Sequence, residues 1–127
     1  MSGYLIDTDI LIDHLRGDGK ATEAISSLVK KGSPVVSSVI CEAEIFSNVL
    51  SSEEKHITTL FRYIKTLPID SETARLAGQY RQKYKRSDNV ETPDALIAAT
   101  AKLNDLDLVT RNKKHYPMTD IKVITPY

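Results

Sequence analysis

The chain has one cysteine, Cys41, so it can form no internal disulfide and no four-sulfur metal site. That scarcity fits a reducing compartment. Surplus charge is also missing, with seventeen Lys and Arg against seventeen Asp and Glu. A balanced chain exerts no general pull on nucleic acid or acidic membranes. A nucleic-acid ligand must then meet locally grouped cations or a metal ion. No window approaches the ~18 apolar residues of a membrane span. The first residues lack the basic start and apolar stretch of a secretory signal, so the expected setting is cytoplasmic. Internal repeats, low-complexity tracts and interdomain linkers are not seen. A length of 127 residues predicts one domain over 1–127.

Short apolar runs alternate with helical spacing. Residues 3–6 read as a buried strand, and Ile10, Leu11, Ile12 and Leu15 as a short helix stopped by Gly17 and Gly19. Helical spacing returns over 21–31, closed by Gly32, and again over 39–50 and 57–64. Pro34 introduces a strand at 35–37, and 67–69 form a brief extended link with edge character because of Pro68. A helix starts at Ser71 and ends in the basic stretch Lys83-Tyr84-Lys85-Arg86, before a polar loop at 87–89. Thr92 suits an N-cap and Pro93 the first position of a helix reaching about Leu103. Strands at 106–110 and 122–124 follow. The alternation predicts an α/β domain with a mostly parallel sheet covered on both faces. In such sheets functional groups gather beyond the carboxyl ends of the strands, where strand order reverses. Asp7, Ser37-Ser38 and residues 110–112 all follow strands and are expected on that edge.

Several carboxylates sit where a core cannot use them. Asp7 follows the first strand, as a helix cap or as an oxygen ligand for Mg²⁺ or Mn²⁺. Asp9, in the first helical turn, suits the helix dipole or a supporting role. Asp94 opens a helix that is apolar nearly all round, on the face of Ile97, Ala98 and Ala101, and a buried carboxylate needs a partner such as a metal. Between them lie Glu42 and Glu44. On a helical wheel Val39, Ala43, Phe46 and Leu50 share a stripe, with Ile45 and Val49 beside it. Glu42 falls inside that arc and Glu44 just outside it. Thr110 and Asn112 follow a later strand and can support a metal directly or through water; Arg111 and the lysines beyond can hold phosphates. His14, His56 and His115 have no zinc-motif spacing, and a hydrolase triad has no support.

Four stretches in order resemble the PIN-domain family, and most closely the small VapC-type toxins of prokaryotic toxin–antitoxin pairs. They are Leu5-Ile6-Asp7-Thr8-Asp9-Ile10-Leu11-Ile12-Asp13, Ser38-Val39-Ile40-Cys41-Glu42-Ala43-Glu44-Ile45, Pro93-Asp94-Ala95-Leu96-Ile97-Ala98-Ala99-Thr100-Ala101 and Leu108-Val109-Thr110-Arg111-Asn112. The resemblance implies a three-layer α/β/α sandwich and a ribonuclease whose acids bind Mg²⁺ or Mn²⁺. It assigns the acids to Asp7, Glu44 and Asp94, with Thr8 and Thr110 in support. Its alanine-glutamate pair favours Glu44 against the wheel, and Glu42 stays in reserve. The fourth acidic position holds Asn112, and His115 stands where many relatives have an aspartate. An amide is a weaker ligand, so one or two ions remain open.

In that chemistry a divalent cation relieves the repulsion among the carboxylates, activates water and steadies charge on the scissile phosphate. RNA is expected to approach over Arg16, residues 83–86 and residues 111–114, Arg111 and Lys113 among them, with Tyr84 or Tyr116 available for base stacking. The resemblance also implies a cognate antitoxin protein and a homodimer. Two other readings compete. One is a PIN-like RNA-binding or regulatory module, weakened at its fourth position. The other is a haloacid-dehalogenase-type phosphatase with Asp7 as nucleophile, which needs a lysine and a paired acidic motif after the threonine.

Overall fold

The computed structural model describes residues 2–48 and 51–127. Five strands form its sheet: β1 (Gly3–Ile6), β2 (Val35–Ser38), β3 (Lys65–Leu67), β4 (Leu106–Val109) and β5 (Val123–Ile124). Their order is β3-β2-β1-β4-β5, and every pairing is parallel. Six helices connect and cover them: α1 (Thr8–Leu15), α2 (Gly19–Lys30), α3 (Val39–Phe46), α4 (Glu54–Tyr63), α5 (Ser71–Asp88) and α6 (Thr92–Leu103). Parallel neighbours need crossovers, and right-handed ones put α1 to α4 on one face and α5 with α6 on the other. The result is the expected three-layer α/β/α architecture.

β1 is central and covered on both faces, so it reads as a continuous apolar run with Leu5 and Ile6 fully buried. A Cβ on Gly3 would stand 2.6 Å from the Pro34 carbonyl oxygen. Glycine thus permits the close approach in which the Tyr4 N–H donates to that oxygen at 2.8 Å. Ile10 and Leu11 of α1, Ala95, Ile97, Ala98 and Ala99 of α6, and Leu108 and Val109 of β4 complete the core.

The chain steps from β1 through β2 to β3, then returns to β4 on the other side of β1. Strand order therefore reverses between β1 and β4, which makes their carboxyl ends the crevice of the sheet. The Asp7 N–H donates to the Val109 carbonyl at 2.9 Å, so the ladder runs one residue beyond β1. Asp7 and Thr110 meet there.

Several boundaries differ from the sequence reading. The extended link expected at 67–69 lies earlier, as β3, because Pro68 has no N–H to continue the ladder. The helix expected over 39–50 ends at Phe46, while Val49 and Leu50 of its expected stripe lie outside the described residues. Gly19 does not stop α1 but opens α2, with Asp18 as its cap. The basic stretch does not end α5, which runs through the expected loop to Asp88 and stops at Asn89 in the left-handed region, φ 50°. Glu91, not Thr92, is the N-cap of α6, and its side chain makes no cap hydrogen bond.

Candidate functional site

Asp7 caps α1 in extended backbone, and every carboxylate oxygen it has is engaged. Oδ1 accepts from the Thr8 N–H at 2.7 Å. Oδ2 accepts from the Thr110 hydroxyl at 2.8 Å and from the Tyr116 hydroxyl at 2.8 Å. Only 7% of Asp7 is exposed. Burial, then the neighbouring charge of Asp9, pushes its carboxyl up to about 6, although the three donors pull the other way.

Thr8 joins Asp7 to the second acid, because its hydroxyl donates to Glu44 Oε1 at 2.7 Å. Tyr116 joins Asp7 to the third, reaching Asp94 Oδ1 at 3.4 Å from the same hydroxyl. The other Asp94 oxygen is 4.0 Å from His115 Nδ1. Burial raises the Asp94 carboxyl above its ordinary value; His115 opposes the rise and Glu44 adds to it. Asp7, Glu44, Asp94 and Asn112 line one open pocket of about 310 Å³, with Thr8, Asp9, Glu91 and His115 around them. Glu42 lies elsewhere, with Thr66 of β3 donating to it at 3.4 Å. The wheel misassigned α3 because its core contacts are Cys41 and Ile45, four apart, while Ala43 is exposed and Phe46 is 38% exposed.

Asp9 holds the far wall together. Its Oδ2 accepts from the Arg111 N–H at 3.0 Å, from Asn112 Nδ2 at 2.9 Å and, more distantly, from Thr110 Oγ1 at 3.2 Å. Asn112 N–H returns a bond to Thr110 Oγ1 at 3.1 Å. Asp9 therefore fixes the loop after β4 against the start of α1. That explains the supporting role read from sequence, through contacts a hundred residues away that no local pattern reveals.

The candidate RNA contacts separate. Arg111 Nε pairs with Asp13 Oδ2 at 2.8 Å, and the Tyr127 hydroxyl donates to the same oxygen at 2.7 Å. Lys113 is exposed in the short 3₁₀ turn Lys113–His115 that follows Asn112. Arg16 lines a separate crevice on the other side of Ile12. Tyr84 packs against Tyr80 with ring centroids 6.4 Å apart. The side chains of Lys85 and Arg86 lie outside the described residues. Tyr116 is not available for stacking: it is 3% exposed and its hydroxyl is bound to the acids. Sequence reasoning missed that role, and Glu91 on the pocket rim as well. The one available signal for Tyr116 was general, since a buried tyrosine hydroxyl needs a polar partner.

The donor set fits a hard cation. Its side chains offer carboxylate, hydroxyl and amide oxygens, the ligands Mg²⁺ and Mn²⁺ prefer. No lysine or arginine lines the pocket among the described residues, so of its lining side chains His115 alone can offset the acids, and the phosphatase reading lacks its lysine. Among the described residues no three acidic, imidazole or thiol groups stand close enough to form a full protein ligand set. Mg²⁺ suits such a site because it uses one or two carboxylates and keeps several waters. A larger groove of about 610 Å³ between α1, α2 and α4 has walls such as Leu15, Ile25, Val29 and Leu60 and no carboxylate. It offers none of this chemistry. Among the described residues, no helix is long and apolar enough to cross a membrane.

Comparison with known proteins gives concordant matches. The PIN domain family matches residues 4–120. Ribonuclease VapC10 of Mycobacterium tuberculosis is 38% identical over 115 residues, covering 90% of this chain and 86% of the relative. Ribonuclease VapC19 of the same species is 34% identical over 115 residues, covering 90% of this chain and 92% of the relative. Among solved structures, a toxin–antitoxin complex from Klebsiella pneumoniae contains a similar chain, with TM-score 0.82, 30% identity and 98% of both chains covered.

Proposed function

The chain belongs to the PIN domain family, and from that premise we propose that it is a metal-dependent endoribonuclease, the toxin of a toxin–antitoxin pair. The observation that carries the proposal is the meeting of Asp7, Glu44 and Asp94 at one pocket on the reversal point of the sheet, cross-tied through Thr8 and Tyr116. Mg²⁺ or Mn²⁺ is the cofactor we assign, with residues 1–127 as one domain.

In this reading Asp7, Asp94 and Glu44 would hold the cation, one or two of them directly and the rest through its waters. Bound there, it supplies an activated water and charge stabilisation at the scissile phosphate. Thr8 and Thr110 keep the carboxylates in place through their hydroxyls. Asn112 gives an amide hydrogen to Asp9, and its carbonyl oxygen is the atom we assign to orienting water. Arg111 and Lys113, on the loop after β4, offer phosphate contacts at the rim, where a pocket of carboxylates alone repels RNA. Asp13 directs the Arg111 guanidinium. A cognate antitoxin is the expected protein partner, and the family resemblance extends to a homodimer.

RNA cleavage by purified protein, with Mg²⁺ or Mn²⁺ and then with EDTA, tests the proposal. Asp94→Asn is expected to reduce the metal-dependent rate on the order of a hundredfold or more, beyond what losing a supporting group around a metal costs. Cleavage that persists in both EDTA and Asp94→Asn, or a wild type that cleaves no RNA with either ion, would overturn it.

A further inference from the structure

A single atom of Tyr116 touches both Asp7 and Asp94. Its hydroxyl donates to Asp7 Oδ2 at 2.8 Å and lies 3.4 Å from Asp94 Oδ1, with 3% of the residue exposed. A carboxylate oxygen has two lone pairs in its plane. On Asp7 Oδ2 the Thr110 and Tyr116 hydroxyls occupy both. Oδ1 gives one to the Thr8 N–H and keeps one. A cation that uses Oδ2 must therefore displace a hydroxyl. Both hydroxyls have a second acceptor within reach: Asp9 Oδ2 at 3.2 Å for Thr110, and Asp94 Oδ1 for Tyr116.

We infer that the Tyr116 hydroxyl is a neutral stand-in for the cation, bridging Asp7 and Asp94 without metal and yielding Asp7 for Asp94 alone when a divalent ion is held at the pair. The inference rests on the proposed metal-binding reading. Tyr116 is then a positioning residue that sets how readily the pocket loads. Its O–H places a partial positive charge between two acids that otherwise repel, which supports the unloaded fold. The same bond competes with the ion. A phenylalanine would keep the ring and remove only the competitor.

Mn²⁺ titration of metal-stripped protein, followed by electron paramagnetic resonance of the free ion, separates the outcomes. Tyr116→Phe is expected to bind Mn²⁺ about tenfold more tightly than wild type (about 1.4 kcal/mol) and to melt at a lower temperature without metal. A second readout uses wild type alone. With no tryptophan in the chain, the near-ultraviolet tyrosine band reports its hydroxyls directly. Mg²⁺, which does not absorb there, is expected to perturb that band in wild type and not in Tyr116→Phe. Equal or weaker Mn²⁺ binding by a folded Tyr116→Phe overturns the inference and leaves the metal site standing. A wild type that binds no Mn²⁺ overturns the metal reading itself.

Discussion

Replacing Asp7 with asparagine is expected to remove the activity and stabilise the metal-free protein. The Asp7 carboxyl rises from 3.8 to about 6 on folding, chiefly through burial and then through Asp9. A carboxyl raised by the fold favours folding while protonated. Its contribution is complete below 3.8 and lost as pH climbs through about 6. Holding the ionised carboxylate in that place costs the metal-free fold about 3 kcal/mol at pH 8. Asparagine carries no charge at any pH. Its carbonyl can keep the Thr8 N–H, and its NH₂ meets the Thr110 and Tyr116 hydroxyls, whose hydrogens can turn to Asp9 and Asp94. Those alternative bonds are longer, so some of the gain is lost. The expected net is about 2 kcal/mol in favour of Asp7→Asn at pH 8, a rise in Tm of roughly 6–10 °C. Thermal unfolding followed by circular dichroism in EDTA reads it. At pH 5 the charge-related part should shrink by roughly half. Adding Mg²⁺ should raise the wild-type Tm and leave the variant unmoved. A variant less stable than wild type at pH 8, or a gap that does not change with pH, would refute the placement of a buried charge at Asp7.

Asn112→Asp replaces the amide that donates to Asp9 at 2.9 Å with a carboxylate, so the metal-free variant is expected to lose about 1–3 kcal/mol at pH 7.5. Isothermal titration with Mn²⁺ should then show a second ion; an unchanged Tm with a single ion would count against Asn112 as the residue limiting metal number. Arg111→Ala leaves the acids untouched, and is expected to raise KM for RNA several-fold with kcat nearly constant. It should also flatten the salt dependence of RNA binding by about 0.7 in log–log slope, and an identical slope would remove Arg111 from the RNA surface.

The architecture was legible because its signals are local. Apolar runs at 3–6 and 106–110, separated by helical spacing, are enough to specify parallel strands with crossovers, and the helix from Thr92 announces itself through Pro93 and an apolar face. Boundaries shifted where one residue can serve two neighbours. Gly19 can end one helix or begin the next, and the Asp18 side chain, which accepts from the Lys20 N–H, decides for α2. The acids were nameable because Asp7 and Asp94 sit at element starts that capping alone does not fully explain. The choice between Glu42 and Glu44 was not legible from periodicity. The short α3 packs through Cys41 and Ile45, a narrower stripe than the larger apolar side chains of the helix suggest. Least visible was Tyr116. It reaches Asp7 from 109 positions away, out of an irregular loop where no period operates.

The pairing of β1 with β4 has a consequence in time. β1 holds the centre of the sheet, yet the neighbour that completes its carboxyl edge is made about a hundred residues later. Until residues 110–116 emerge, Asp7 lacks Thr110 and Tyr116, and Asp9 lacks the loop it anchors. At ordinary rates of synthesis that interval is roughly 5–20 s. Through that interval the two acids at the start of α1 stand without the groups that fix them. The pocket is complete only once Asn112 and His115, its last lining residues in chain order, have been made.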